Sequence, residues 1–166
     1  FLDEEGKPAS PLIVEGANIF TTVEARQKLF EEGGVAIVKD SSANKCGVIT
    51  SSDEIACSML ISEAEFLDVK EELVNDVLHR IRHLAELEAR LLFREYNNYP
   101  GSLPHFSERI SNAINNATDA IADALADVGP GDELFDKVQP VIRENLPAKL
   151  SEIAWDRVKD RFPLQY

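Results

Sequence analysis

Two short β-branched runs with one capped helix between them constrain this chain more than any other feature. Leu12-Ile13-Val14 is entered through Pro11 and closed by Gly16, and Val35-Ala36-Ile37-Val38 follows after a helix-length spacer. Both runs have the length and apolar density of buried parallel strands. In the spacer, Thr21-Thr22-Val23-Glu24 fits a capping box: the Thr21 hydroxyl takes a first-turn amide and Glu24 reaches back to the cap. Val23 and Phe30 share one face, Glu24, Lys28 and Glu31 share another, and Gly33-Gly34 supplies the left-handed stop. Strand, helix and strand in this order predict a βαβ unit with parallel strands and a right-handed crossover.

Parallel strands send their carboxyl ends to the same side, where open α/β sheets bind ligands. The polar turns leaving those ends are Glu15-Gly16-Ala17-Asn18 and Asp40-Ser41-Ser42-Ala43-Asn44. Each contains an asparagine, whose amide presents a donor and an acceptor together and so suits a carboxamide or a pair of ribose hydroxyls. Asparagine is also a turn former in its own right, and that reading of each residue stands beside the first. After Asn44 come Gly47 and Thr50-Ser51-Ser52, near the start of a helix expected to run through Leu60. Free amides and the dipole at such a start favour an anion, although Ser51 and Ser52 also suit ordinary helix caps.

The remainder reads as helical. Ser62-Glu63-Ala64-Glu65 is a second capping box. From Phe66 to about Tyr96 the apolar residues Val69, Leu73, Val77, Ile81, Leu84, Leu87 and Leu91 recur at three or four, and Val74, Leu78 and Leu92 widen that stripe. A turn at Asn97 to Ser102 leads to a second amphipathic stretch through Phe106, Ile110, Ile114, Ile121 and Leu125, stopped at Gly129-Pro130-Gly131. Asp132 caps a third segment that Pro140 is expected to kink or break, and Pro147 opens a last helix whose buried face is Leu150, Ile153, Ala154, Val158 and Phe162.

Composition excludes several functions. The net charge of −13 leaves no clustered Lys and Arg to neutralise phosphates, so no nucleic-acid partner is expected. No apolar run reaches membrane-spanning length. Cys46 and Cys57 form no CxxC pair, which signals neither zinc nor a disulfide framework and fits a reducing, cytoplasmic setting. His79 and His83 lie one helical turn apart, but HRIRH lacks the glutamate of a zinc-protease motif and carries Arg80 and Arg82, so a solvated face is expected and no metal. The opening FLDEEGKPAS reads as an exposed lead-in loop, and a start at Phe1 without Met reads as a cut from a longer chain.

The stretches EGANIFTTVEA and KDSSANKCGVITSSDE resemble the end of the nicotinamide-binding domain of glutamate dehydrogenases, and ELEARLLFREYNNYPGSLPHFSERISNAINNATDAIADAL resembles the C-terminal end of the large NAD-specific form. The resemblance is strongest over residues 12–58 and covers most of the chain. It implies that Asn18 and Asn44 help hold the nicotinamide ribose and carboxamide of NAD, that Gly16 and Gly47 let backbone approach the cofactor, and that Ser51 binds the side-chain carboxylate of glutamate or 2-oxoglutarate. Cys46 stands where the family usually has the first of two glycines. The fold expected is α/β: a partial Rossmann-like βαβ unit, with residues 1–61 the C-terminal part of a dinucleotide-binding domain and 62–166 a helical C-terminal region.

A glutamate dehydrogenase also needs a catalytic lysine and aspartate and a glycine-rich turn for the pyrophosphate. The chain has no G-x-G-x-x-G, so these parts are expected in the remainder of a parent chain, and no catalytic residue is assigned here. The expected activity is that of the longer enzyme, a homo-oligomer, with this segment inactive alone. Two rivals stand beside it: a helical scaffold or oligomerisation module, and another amino-acid dehydrogenase.

Overall fold

A computed structural model describes residues 1–128 and 132–161. The stop expected at Gly129-Pro130-Gly131 and the expected buried Phe162 lie outside the described residues. The elements are β1 (Leu12–Val14), α1 (Val23–Gly33), β2 (Ala36–Val38), α2 (Asp40–Ala43), α3 (Cys46–Leu60), α4 (Glu63–Asn98), α5 (Leu103–Leu125), α6 (Glu133–Glu144) and α7 (Ala148–Arg161). They form two compact units, Phe1–Lys45 with Leu84–Ile114, and Cys46–His83 with Asn115–Tyr166.

In the first unit β1 and β2 pair in parallel, with Leu12, Ile13 and Val14 opposite Ala36, Ile37 and Val38. Alternation along β2 decides what covers it. Val35 and Ile37 face Leu29 of α1, while Ala36 and Val38 face Leu92 of α4 and Leu103 and Phe106 of α5. The βαβ unit therefore supplies two layers, and the adjoining parts of α4 and α5 a third, so the α/β expectation holds. β1 departs from it: Leu12 and Val14 are exposed, because a strand with one neighbour has helix cover on only part of its surface.

α1 begins one residue later than the capping box suggested. Thr22, not Thr21, is the cap and accepts from the Ala25 N–H, while Thr21 is buried. The buried face also differs: Leu29 is 6% exposed and Val23 is 69% exposed. At the other end Gly34 adopts φ +64, its N–H bonds Phe30 O and the Val35 N–H bonds Leu29 O, an αL closure that turns the chain straight into β2. A β-carbon on Gly33 would lie 2.7 Å from a Leu2 methyl. That contact exists because the lead-in is not a free loop: Leu2 and Pro8 form an antiparallel bridge, and Leu2 packs on the α1–β2 core.

In the second unit Ala56, Cys57 and Leu60 of α3 pack with Ile61 on Leu73 of α4 and on Leu150, Ala154 and Val158 of α7. Ile153, expected on that face, is turned outward. The Ser62 box is present, with the Ser62 N–H donating to Glu65 Oε2 and the Glu65 N–H to Ser62 Oγ. Arg157 of α7 reaches Glu65 at 2.6 Å and the Leu60 carbonyl at 2.9 Å, and Asp76 of α4 accepts from the Lys149 N–H at the start of α7. The Arg157 hydrogen bond, with those from Ser62, pulls the Glu65 pKa down to about 2. Asp132 caps α6 as expected, but α6 runs unbroken through Pro140. Along α4 and α5 the apolar stripes are longer than their cover: Val74, Leu78, Leu87, Ile114 and Ile121 are exposed.

Candidate functional site

The two strand ends are wired together by a partly buried ion network, built on the residue directly after β1 and the second residue after β2. Glu15 follows β1 and is 5% exposed. Its carboxylate accepts from Arg26 Nε and Nη2, the latter at 2.6 Å, and from the Asp40 N–H at 3.2 Å. Burial pushes the Glu15 pKa up, but hydrogen bonds from Arg26 and Thr21 and the Arg26 charge outweigh it and hold the group ionised, below its ordinary value. Arg26 is raised in turn by its hydrogen bond to Glu15. Breaking a buried pair of this kind by removing one partner costs ~3–5 kcal/mol, since the other charge is stranded.

Asp40 opens the second turn. Its Oδ2 accepts from the Ile19 N–H at 2.7 Å and its Oδ1 from the Ser41 N–H at 2.8 Å, and Arg26 Nη2 lies 3.5 Å from Oδ1. The Ile19 hydrogen bond is the largest cause of its lowered pKa. The polar turn expected here is one helical turn, α2, whose last step is the Asn44 N–H bonding the Asp40 carbonyl at 2.9 Å. Three contacts hold α2 against α4 and α5: Ser42 Oγ with Ser107 Oγ at 2.7 Å, Lys39 with Glu108 at 3.4 Å, and Lys45 with Glu88 at 2.7 Å.

The network brings Asn18 and Asn44 together: Asn44 Nδ2 donates to Asn18 Oδ1. That bond uses one end of each amide. The Asn18 amide N–H groups and the Asn44 side-chain carbonyl lie outside it, leaving the pair a donor and an acceptor, the group types that a primary carboxamide or vicinal hydroxyls call for. Gly16 is in the same turn as Asn18, and a β-carbon there would meet nothing within 4 Å, so packing inside the chain does not call for glycine. The donor set and the open approach fit a cofactor's amide and ribose.

Gly47 and Ser51 lie in the first half of α3, in the second unit. Gly47 likewise has open space where a β-carbon would be. Ser51 is exposed, between Thr50, whose hydroxyl bonds the Cys46 and Gly47 carbonyls, and Ser52, whose hydroxyl bonds the Val48 carbonyl. Cys46 is free and exposed at the start of α3. The same unit has an apolar concavity of about 610 Å³ between α3 and α4, walled by Cys57, Ile61, Phe66, Leu73, Val77 and Ile81. Among the described residues no cluster of three His, Cys, Asp or Glu side chains is arranged for a metal, and no helix is long and apolar enough to cross a membrane.

Residue reading alone missed Glu15, Arg26 and Asp40 as a set. The signal was present: an acid directly after the first apolar run, another two residues after the second, and one arginine on the helix joining them. A charge at a strand end has to find a partner when the crossover helix covers it.

The chain belongs to the Glutamate/Leucine/Phenylalanine/Valine dehydrogenase family, whose profile matches residues 3–126. Among its curated relatives, the NAD-specific glutamate dehydrogenase of Saccharomyces cerevisiae is 42% identical over 125 residues, 68% of this chain and 11% of that protein. Glutamate dehydrogenase 2 of Dictyostelium discoideum is 36% identical over 118 residues, 64% of this chain and 11% of that protein. The probable NAD-specific glutamate dehydrogenase of Schizosaccharomyces pombe is 28% identical over 180 aligned positions, taking in 99% of this chain and 16% of that protein. The chain thus spans between about a tenth and a sixth of the length of these relatives. No solved structure matches it.

Proposed function

We propose that the chain serves as the C-terminal segment of an oxidoreductase that interconverts L-glutamate with 2-oxoglutarate and ammonia, using NAD. The observation that carries this reading is the Asn18–Asn44 amide pair at the carboxyl ends of two parallel strands, in a chain whose curated relatives include NAD-specific glutamate dehydrogenases. In this reading NAD, when bound, would supply the hydride acceptor for oxidation at the amino-acid α-carbon. The Asn18 amide N–H groups and the Asn44 side-chain carbonyl orient its carboxamide and ribose, and Gly16 and Gly47 leave room for it. Ser51 donates to the side-chain carboxylate of glutamate. All five residues act by positioning, not by moving protons.

The proton chemistry and the pyrophosphate contact belong to the remainder of the longer polypeptide, and the segment alone is inactive. Residues 1–61 then complete a dinucleotide-binding domain, and 62–166 form a helical region. The exposed apolar side chains of α4 and α5 support contacts of that region with the rest of the chain or with further copies in a cytoplasmic homo-oligomer.

The test is glutamate-dependent NADH formation by the full-length polypeptide, with the 166-residue chain as control. Activity in the first and none in the second is expected. A folded full-length protein that oxidises no amino acid overturns the enzyme reading in favour of a helical scaffold, and one that prefers another amino acid overturns the glutamate assignment. Ser51→Ala should raise the KM for glutamate roughly tenfold, the loss of one hydrogen bond to a charged group, and leave NAD binding within about twofold. Equal loss of both removes Ser51 from that role.

A further inference from the structure

Ile19 is the one residue other than glycine with positive φ among the described residues, at +53, and it is 87% exposed. A β-branched side chain disfavours this left-handed backbone, so something must hold it there. No apolar packing does so on a side chain this exposed. The hold is polar: the Ile19 N–H donates to Asp40 Oδ2 at 2.7 Å. Asp40 is itself fixed, its N–H on Glu15 Oε2 at 3.2 Å and its Oδ1 within 3.5 Å of Arg26 Nη2. From the same residue the backbone carbonyl accepts the Asn44 N–H at 2.9 Å. One aspartate therefore grips the residue after Asn18 through its side chain and Asn44 through its main chain.

We propose that Asp40 is a positioning residue for the cofactor: its carboxylate keeps Ile19 left-handed, so that the Asn18 amide is presented to Asn44 and the pair is preformed before NAD arrives. Arg26 and Glu15 hold Asp40 in place, and a residue of strained backbone marks the point where the force is applied. The inference rests on the reading of Asn18 and Asn44 as cofactor contacts. The role assigned to Asp40 needs no contact with the cofactor. It acts through the backbone of Ile19, and a preformed site binds more tightly because less ordering remains to be done on binding.

The experiment measures NAD dissociation constants by calorimetry, together with KM and kcat, in the full-length enzyme for Asp40→Ala, Asp40→Asn, Asn44→Ala and the double variant Asp40→Ala with Ile19→Gly. Asp40→Ala should weaken NAD binding roughly tenfold, the scale of one lost charge-assisted hydrogen bond, with the glutamate KM moved less than about twofold. Asp40→Asn, isosteric and still able to accept from the Ile19 N–H, should fall between. Glycine adopts φ near +53 without a steric penalty, so the double variant should recover most of the NAD affinity lost by Asp40→Ala. A merely structural Asp40 has no reason to be rescued by a glycine in an exposed turn. Asn44→Ala weakening NAD while both Asp40 variants bind it normally overturns the positioning role alone. A double variant no better than Asp40→Ala overturns it too. Normal NAD binding by Asn44→Ala overturns the cofactor reading, and the proposal falls with it.

Discussion

Glu15 and Asp53 are both carboxylates 5% exposed, and they sit in opposite electrical situations. In the first unit Glu15 is met by an arginine fork, a backbone amide and the Thr21 hydroxyl, and its pKa falls. In the second unit Asp53 of α3 has Arg80 Nε at 3.6 Å from Oδ1, too long for a hydrogen bond, and its Oδ2 is buried without one. Burial dominates there, the Arg80 charge only partly offsets it, and the Asp53 pKa rises. Burial alone thus says little about what a charged residue does; the number of donors aimed at it decides. The network around Glu15 organises two turns and a pair of amides, whereas Asp53 is a charge tolerated beside an apolar surface.

Three perturbations break or sharpen that contrast. The largest effect should come from Glu15→Ala, which strands Arg26 and frees Asp40: chemical denaturation should show a loss of ~3–5 kcal/mol. A loss under about 1 kcal/mol would mean that Arg26 reaches water easily and that the network is ornamental. Asp53→Asn should be far milder and of opposite sign. A carboxylate with a raised folded pKa costs stability as pH climbs from the ordinary value of 3.8 through the folded one, so the Asn variant should match the parent at low pH and be more stable at neutral pH. Parallel denaturation curves at pH 3 and 7 would read this, and a destabilised variant at neutral pH would show that the Arg80 pair is net favourable.

Smallest should be Glu65→Gln, confined to acid. With a folded pKa of about 2 against an ordinary 4.5, the contribution of Glu65 is present above 4.5 and lost as pH falls from there to about 2. The variant should be somewhat less stable than the parent at neutral pH, and the gap should close across that window; thermal melts through it would show the two curves converging. A gap that persists below pH 2 would assign the Glu65 contribution to packing with Arg157 and not to charge.

The sequence carried the element order well, because β-branched runs, the Ser62 box and the stripe of α4 are local or periodic signals. The errors came where distant residues decide. Thr21 looked like a cap, yet its hydroxyl belongs to Glu15, and so the cap passed to Thr22. Val23 and Phe30 mark the apolar face of α1 in the sequence, yet the β2 core meets the helix at Leu29. Pro140 is expected to kink or break α6, and the helix is not broken there but runs from Glu133 to Glu144. At the site, both asparagines were legible from their place at two strand ends, and their direct hydrogen bond is a tertiary fact. Glu15, Arg26 and Asp40 were visible as letters, but their joint role needs the crossover to close and Ile19 to turn left-handed, which no local pattern around ANIF announces.

The central claim is that the paired amides at the strand ends receive the nicotinamide half of NAD. Its most direct test is a double-mutant cycle on NAD affinity in the full-length enzyme with Asn18→Ala, Asn44→Ala and both together. Each single change should weaken NAD roughly tenfold, and the double change should cost clearly less than the two combined, since the residues share a hydrogen bond and act as a unit. Unchanged NAD affinity in both single variants would contradict the account, leaving the asparagines as turn formers alone.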